Sequence, residues 1–407
     1  MTKLRIGNKA LIKDMNRSVV INTIRKVGPL SRTDISTQTG LGLSTITKIV
    51  EELKNSRLVF ETGAANSTGG RRPILLEFNK QYAYAVGVKI MKDHLVLALT
   101  DLDATIIHSL EVPFHPTDSP TEIIQLIIHT IEQLLSKQQV KIDQVEGIGV
   151  AVSGLVDSKK GLVVRSPLLG WEDVALSKPI QDVFQKPVFI DNDVNAYTYA
   201  EVEKGHGLHQ NNFICVSIGD GIGMSIVIDR KLYSGEFGGA GEFGHTIIQV
   251  DGRSCHCGQE GCLEMYASTI ALEQESTVLF RSYPNSILLN KKLTFDSVYD
   301  AALAGDEMAI VLFDKLGYYL GIGLINAINS FNPGTIVLIG EGMIAQEYFL
   351  PTAITKAKKN FFYHDRYETK VLISRLGNDA WVKGAAILAI NQLFQPPIYE
   401  STPSLLS

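Results

Sequence analysis

Cysteine and tryptophan are scarce in this chain of 407 residues, which holds four Cys and two Trp. Three of the Cys fall within eight residues (Cys255, Cys257, Cys262), leaving Cys215 alone. A disulfide framework spread along the chain is thereby excluded. Long apolar runs are lacking too. No stretch approaches the ~20 apolar residues that cross a bilayer. The opening MTKLRIGNKALIKD has no apolar centre of the kind a signal peptide carries. These absences lead to the expectation of a cytoplasmic protein with no membrane insertion. No internal repeat and no low-complexity segment is visible. What remains is ordinary globular material, 45% apolar and 20% charged, at a length that predicts two or three domains.

An excess of positive charge is confined to the start. Residues 1–80 carry 14 Lys and Arg against 6 Asp and Glu, a balance of +8, while residues 81–407 carry 24 against 37, or −13. A basic head on an acidic body suits a segment that meets polyanion. Within the head, apolar spacing predicts a helix over 16–27 with Val19, Val20, Ile24 and Val27 on one face, ended by Gly28-Pro29. Ser31 offers an N-cap with Asp34 three positions on. A short helix follows over 32–39, then Gly40 as a turn. The next helix, 44–55, repeats Ile46, Ile49, Val50 and Leu53 and turns Ser44, Thr45, Thr47 and Lys48 outward. Helix, short helix, Gly turn, helix is the helix-turn-helix order, whose third helix enters a major groove. Short strands at 58–60 and 74–78 would form a wing, with Arg71 and Arg72 at its tip suited to a narrow minor groove. Ser31, Arg32, Ser44, Thr45, Thr47, Lys48, Arg71 and Arg72 are therefore the candidate DNA contacts. The same helical pattern also serves three-helix protein-binding modules; the charge and the Arg pair favour DNA.

Beyond residue 80 the pattern changes to strands mixed with helices. Strands are expected at 82–90, 94–100 and 106–112, a helix at 120–136, a buried strand at 145–153, and a short strand at 188–190 leading into a helix. A second set begins at 213–218 and 224–228, with a helix at 320–329 and a strand at 335–339. The fold class is α/β, with a first lobe over 81–211, a second over 212–379, and a last helix at about 380–394 returning to the first.

Between Gly235 and Glu264 lie His245, Cys255, Cys257 and Cys262. Three thiolates and an imidazole at these spacings suit a four-coordinate structural Zn2+ site. His256 competes with His245 for the fourth position; His245 is preferred, because a Cys-x-Cys turn points adjacent side chains apart. Asp191, Asn192, Asp193 and Asn195 sit at a strand-to-helix junction, where ligands collect in open α/β sheets. Their carboxylates and amides match sugar hydroxyls, although Asp193 reads equally well as a helix N-cap. The loop Gly219-Asp220-Gly221-Ile222-Gly223 is a weak phosphate-loop signal, since a carboxylate inside it would repel phosphate.

Glu242-x-x-His245 followed by Cys255-x-Cys257-Gly258-x-x-Gly261-Cys262-x-Glu264 resembles the signature of the ROK family of repressors and sugar kinases. With the helix-turn-helix head and Gly70-Arg71-Arg72-Pro73, the whole chain looks like a repressor of the xylose or N-acetylglucosamine type. The resemblance implies a winged helix-turn-helix followed by a two-lobed, actin-like (ribonuclease H-like) ATPase-type body. It implies zinc on His245, Cys255, Cys257 and Cys262. Sugar contacts would come from Ser153, Gly154, Asn192, Asp193, Glu242, His245 and Glu264, in a cleft between the lobes. The departures point away from kinase chemistry. Where family kinases carry Asp-x-Gly-Gly-Thr, this chain has Gly87-Val88-Lys89-Ile90-Met91, and its second phosphate loop has Asp220 for Thr and Met224 for Gly.

The expectation is thus no catalytic residue and no enzyme. It is a homodimeric (or tetrameric) repressor of carbohydrate-use genes that binds double-stranded operator DNA and is relieved by a small sugar, of the xylose type first. Two other readings stay open: control by a protein partner such as a sugar transporter, and a bifunctional ROK sugar kinase.

Overall fold

The computed structural model describes residues 7–64, 73–289, 291–363 and 368–396. These fall into two compact units, residues 1–200 with 379–407, and residues 201–378. The C-terminal helix clusters with the first unit. The head is not separate from the lobe that follows it, and the break expected near 211 lies at 200.

In the first unit, α1 (Lys9–Val27) starts at Asn8, whose side chain accepts from the Leu11 N–H. It begins earlier than the apolar spacing suggests, because Leu11 adds a turn. Its buried face also differs from expectation: Leu11, Ser18, Val20, Ile21 and Ile24 are buried, whereas Val19 and Val27 are exposed. β1 (Leu30–Ser31) leads into α2 (Arg32–Thr39), held by a reciprocal capping box between Ser31 and Asp34. Gly40 at φ 71° closes α2, and α3 (Leu43–Asn55) buries Ile46, Ile49, Val50 and Leu53 as its spacing predicts. β2 (Val59–Ala64) and β3 (Ile74–Phe78) pair antiparallel, and β1 adds to β3, giving the order β1-β3-β2. Arg71 and Arg72 lie outside the described residues.

The rest of this unit is built on one mixed sheet. Its elements are β4 (Tyr84–Ile90), β5 (His94–Asp101), β6 (Ile106–Pro113), α4 (Pro120–Lys137), β7 (Val145–Val152), β8 (Leu155–Asp157), β9 (Leu162–Ser166), β10 (Trp171–Ala175), α5 (Ser177–Phe184), β11 (Val188–Asn192) and α6 (Asp193–Lys204). The sheet order is β11-β7-β4-β5-β6, with β8, β9 and β10 forming a small antiparallel sheet of their own. Strands as short as β8 carry too few alternations to be read from sequence. The Ile-rich face of α4 packs on the sheet through Ile123, Ile127, Ile131 and Leu134.

The second unit holds β12 (Phe213–Ile218), β13 (Ile222–Ile228), β14 (Lys231–Tyr233), α7 (Glu264–Ala267), α8 (Thr269–Leu279), α9 (Phe295–Leu303), α10 (Glu307–Phe331), β15 (Thr335–Ile339), α11 (Gln346–Ala357) and β16 (Lys370–Ile373). Its sheet order, β14-β13-β12-β15-β16, is the first sheet's plan again: a three-stranded antiparallel meander whose first strand carries two further parallel strands. The plan repeats where the sequence shows no repeat. α10 corrects the statement about apolar runs, being 25 residues long and apolar enough to cross a membrane by length and composition. It is instead the core helix of this unit, burying Leu312, Phe313, Leu316, Leu320 and Leu324. Gly317 and Gly321 admit α11 closely: a Cβ on Gly317 would stand 2.2 Å from the Phe349 carbonyl oxygen. Finally, α12 (Asp379–Leu393) lies in the first unit and packs on β4 and β7.

Candidate functional site

In the first unit the polar cluster sits where the parallel strands β7 and β11 end side by side, Asn192 in register with Val152. That edge is the usual ligand position in an open α/β sheet. Gly154 turns the chain there at φ 97°, with no room for a Cβ, which would come 2.2 Å from the Arg165 carbonyl oxygen. Ser153 Oγ lies 3.0 Å from Ser166 Oγ. Asn192 Nδ2 donates to the Gly154 carbonyl at 3.0 Å, while its Oδ1 accepts from the Val194 N–H at 2.8 Å. Asn192 therefore caps α6, the part the sequence offered to Asp193. Asp191 is buried behind it, accepting from Asn192 N (2.8 Å) and Asn195 Nδ2 (2.9 Å). Burial raises the Asp191 carboxyl to about 6 against the pull of those two donors.

Asp193 is placed differently. Its Oδ1 accepts from the Val194 N–H at 2.9 Å, and its Oδ2 forms an ion pair with Lys89 Nζ. Lys89 comes from near the C-terminal end of β4 and is only 4% exposed. Sequence reading noted it only as the loss of a phosphate loop. The signal was present: an ammonium inside an otherwise apolar strand demands a buried partner.

In the second unit, His245 ends a 3-10 turn (Phe243–His245), and Cys255, Cys257 and Cys262 close on it. Two glycines shape the loop: Gly258 has φ 94°, and a Cβ on Gly261 would stand 1.7 Å from the Gln249 carbonyl oxygen. His245 Nδ1 lies 3.5 Å from Cys255 Sγ, and Cys257 Sγ lies 3.6 Å from Cys262 Sγ. The four ligand atoms are mutually within 4.8 Å. Tetrahedral zinc with Zn–S near 2.3 Å separates its donors by about 3.5–3.8 Å, so the donor set fits. The thiols give the same indication. Burial pushes Cys262 up to about 12 and raises Cys255, whereas the Gln259 N–H and the neighbouring thiols outweigh burial at Cys257 and lower it. Three thiols this close ionise together only against a cation. His256 joins a second grouping with His245, Cys255 and Glu264, a poorer thiolate set.

The loop is fastened to helices that the sequence did not connect to it. Arg253 donates to the Met265 carbonyl (2.8 Å), stacks over Tyr266 and pairs with Glu275 of α8, which also pairs with Lys315 of α10. Gly323 of α10 leaves space for Leu263 and Phe243, neighbours of the donors Cys262 and His245. Of the expected sugar contacts here, Glu242 is exposed, 4.0 Å from His245 Nε2. Glu264 is buried, with Oε2 accepting from the Ile222 N–H at 3.0 Å and Oε1 3.5 Å from His256 Nδ1.

The bond from Ile222 to Glu264 bears on the glycine loop. Asp220 N–H donates to Glu341 Oε1 at 2.7 Å, as Ile222 N–H does to Glu264. A Cβ on Gly219 would meet Glu341 Oε1 at 1.9 Å, and one on Gly221 would meet Glu264 Oε2 at 2.7 Å. Backbone N–H groups that could cradle a phosphate are thus engaged by two carboxylates of the same unit.

In the head, Ser44, Thr47 and Lys48 are exposed on α3 and Thr45 is half-buried. Arg32 is tied to Glu51 (2.8 Å) and Glu61 (3.6 Å). Ser31 is buried and its hydroxyl donates to Asp34, which leaves it a capping part only.

A family model described as "ROK family" matches residues 85–392. The xylose repressor of Bacillus spizizenii is 34% identical over 389 residues, covering 95% of this chain and 97% of that protein. The N-acetylglucosamine repressor of Escherichia coli O157:H7 is 30% identical over 347 residues, 85% of each. Among solved structures, a ROK family transcriptional regulator described as a homolog of the Escherichia coli MLC protein superposes with a TM-score of 0.82 at 30% identity, covering 93% of this chain and 96% of that one. A ROK family glucokinase from Streptomyces griseus, in complex with glucose and AMPPNP, gives 0.65 at 27% identity, over 76% of this chain and all of the kinase.

Proposed function

Since the chain belongs to the ROK family, we propose that it is a DNA-binding repressor of carbohydrate-use genes released by a sugar of the xylose type, and not an enzyme. The observation that carries this reading is the near full-length match to named repressors, head included, where the kinase match stops at three quarters of the chain. The site chemistry supports it. Asp193, the position of the base in family kinases, is held by Lys89, and the glycine loop is filled by Glu341 and Glu264. Phosphoryl transfer depends on positioned phosphates, and neither feature serves that end.

The three helices and small sheet of residues 7–78 act as a winged helix-turn-helix. α3 presents Ser44, Thr45, Thr47 and Lys48 to a major groove, and Arg32, Arg71 and Arg72 meet the backbone or minor groove. The residues proposed to meet sugar hydroxyls are Ser153, Gly154, Asn192, Asp193, Glu242, His245 and Glu264. Zn2+ on His245, Cys255, Cys257 and Cys262 fixes the loop that bears Glu242 and Glu264 and takes no part in chemistry. The protein works in the cytoplasm as a homodimer on a two-fold operator.

The test is fluorescence anisotropy on an operator duplex selected from a randomised pool, titrated with a sugar panel with and without MgATP. Release by a pentose such as D-xylose, with no ATP consumed, is expected. Sugar-dependent ATP hydrolysis overturns the non-enzyme reading. Retention on the operator across the whole panel overturns control by free sugar and moves the case to a protein partner.

A further inference from the structure

Lys89 stands at one end of a continuous chain of contacts inside the first unit. Its ammonium pairs with Asp193 and lies 5.3 Å over the ring of Trp381, in the first turn of α12. Trp381 in turn packs edge-on against Tyr197 of α6, centroids 4.8 Å apart. Asp193, Lys89, Trp381 and Tyr197 thus join the first turns of α6, the C-terminal end of β4 and the start of α12.

From there α12 cannot slide independently of the sheet. A Cβ on Gly87 would stand 2.2 Å from the Val382 carbonyl oxygen, and one on Gly149 would stand 1.8 Å from that of Ala385. On its other side, a Cβ on Gly384 would stand 1.9 Å from the Ala196 carbonyl oxygen. Backbone seated on backbone at three points makes a stiff strut. With 15 residues it spans about 22 Å.

The far end of the strut is in the head. Ser18 Oγ and Asn22 Nδ2 of α1 both donate to the Phe394 carbonyl, at 2.8 and 2.9 Å. Arg25 donates to Asn391 Oδ1 at 2.7 Å and lies over the Phe394 ring, which also packs edge-on against Phe78 of β3. Ser18 is fully buried in this contact. Ser18 and Asn22 lie inside α1, where Asn22 Nδ2 also donates to the Ser18 carbonyl at 2.9 Å, and both side chains reach the end of α12.

We propose that Lys89 is the positioning residue that reports a sugar hydroxyl at Asp193 to the head, with α12 as the rigid link. The proposal rests on Asp193 being a sugar contact. A hydroxyl donating to Asp193 Oδ2 competes with the Lys89 ammonium for the same oxygen. A buried ammonium is costly to leave unpaired, so it settles further onto the Trp381 face it already overlies. Trp381 moves with it, and α12 carries the displacement to Phe394 and so to α1.

The experiment compares wild type, Lys89→Met and Asn22→Ala, each full length. D-xylose binding is read by calorimetry, and operator affinity by anisotropy with and without saturating D-xylose. In wild type the sugar weakens operator binding on the order of tenfold. Lys89→Met binds operator and D-xylose, and its sugar-dependent change falls below about twofold. Asn22→Ala, at the far end of α12, keeps the wild-type D-xylose affinity and shows the same loss of response. A full response in either variant overturns the link. Loss of D-xylose binding in Lys89→Met together with a full response in Asn22→Ala reduces Lys89 to a plain ligand contact and also overturns it. A wild type that binds D-xylose but stays on the operator overturns the sugar-release reading itself.

Discussion

Asp191 shows how one buried side chain can set a pH dependence for the whole fold. Its carboxyl is raised from 3.8 to about 6, because burial opposes the charge more strongly than Asn192 and Asn195 support it. The native state therefore holds this proton more tightly than the unfolded chain does. The resulting stabilisation is fully present below about pH 4 and is lost as pH rises through about 6. Asp191→Asn keeps an acceptor for both donors and removes the charge. Denaturant titrations should find the variant more stable than wild type at pH 7, by on the order of 1–3 kcal/mol, with the difference vanishing near pH 4. A difference independent of pH would refute this account. The sequence showed the cluster but not its division of labour, because Asp191, Asn192, Asp193 and Asn195 read alike as polar letters. Burial, capping and the ion pair with Lys89 separate them, and the ion pair depends on a strand far away in the chain.

At the scale of elements, legibility followed periodicity. α3, α4, β5 and β12 stand where alternation or the helical repeat put them. The short strands β8 to β10 and the true buried face of α1 were hidden, since the Ser18 side of α1 is chosen by a helix nearly 380 residues away. The donor spacing from His245 to Cys262 was plain from sequence; the anchoring of the loop by Arg253, Glu275 and Lys315 was not. That anchoring gives an expectation about metal removal. Because the loop is fastened to α8 and α10 independently of any ion, Cys257→Ser should abolish zinc retention while leaving the core folded. Native mass spectrometry should show one zinc per wild-type chain and none in the variant, and far-ultraviolet dichroism should differ little. Global unfolding of the variant would show instead that the metal, rather than the anchoring, holds the unit together.

For the whole molecule, the decisive feature is one plan used twice. Each unit has a five-stranded sheet of the same order, yet the two were put to different ends. In the first unit α12 is pressed on the sheet through Gly87 and Gly149, and α1 is seated on α12. Gly149→Ala would place a methyl group against the Ala385 backbone, where no side chain can give way. The expected cost is about 1–3 kcal/mol or more, read as a lower denaturant midpoint. The operator affinity of the folded fraction should fall as well, since the seat of the head is displaced. Lost stability with unchanged operator affinity would show that the seat of α1 tolerates movement of α12.

The bond from Ser18 to Phe394 joins residues 376 positions apart. Seen in the order of synthesis, the head leaves the ribosome first and its support is made last. At about 5–20 residues per second, tens of seconds separate the two events. Through that interval a nascent chain carries its head without the strut, and a chain cut short before Phe394 never acquires one. If α12 is the link proposed above, coupling between effector and operator belongs to the finished polypeptide alone.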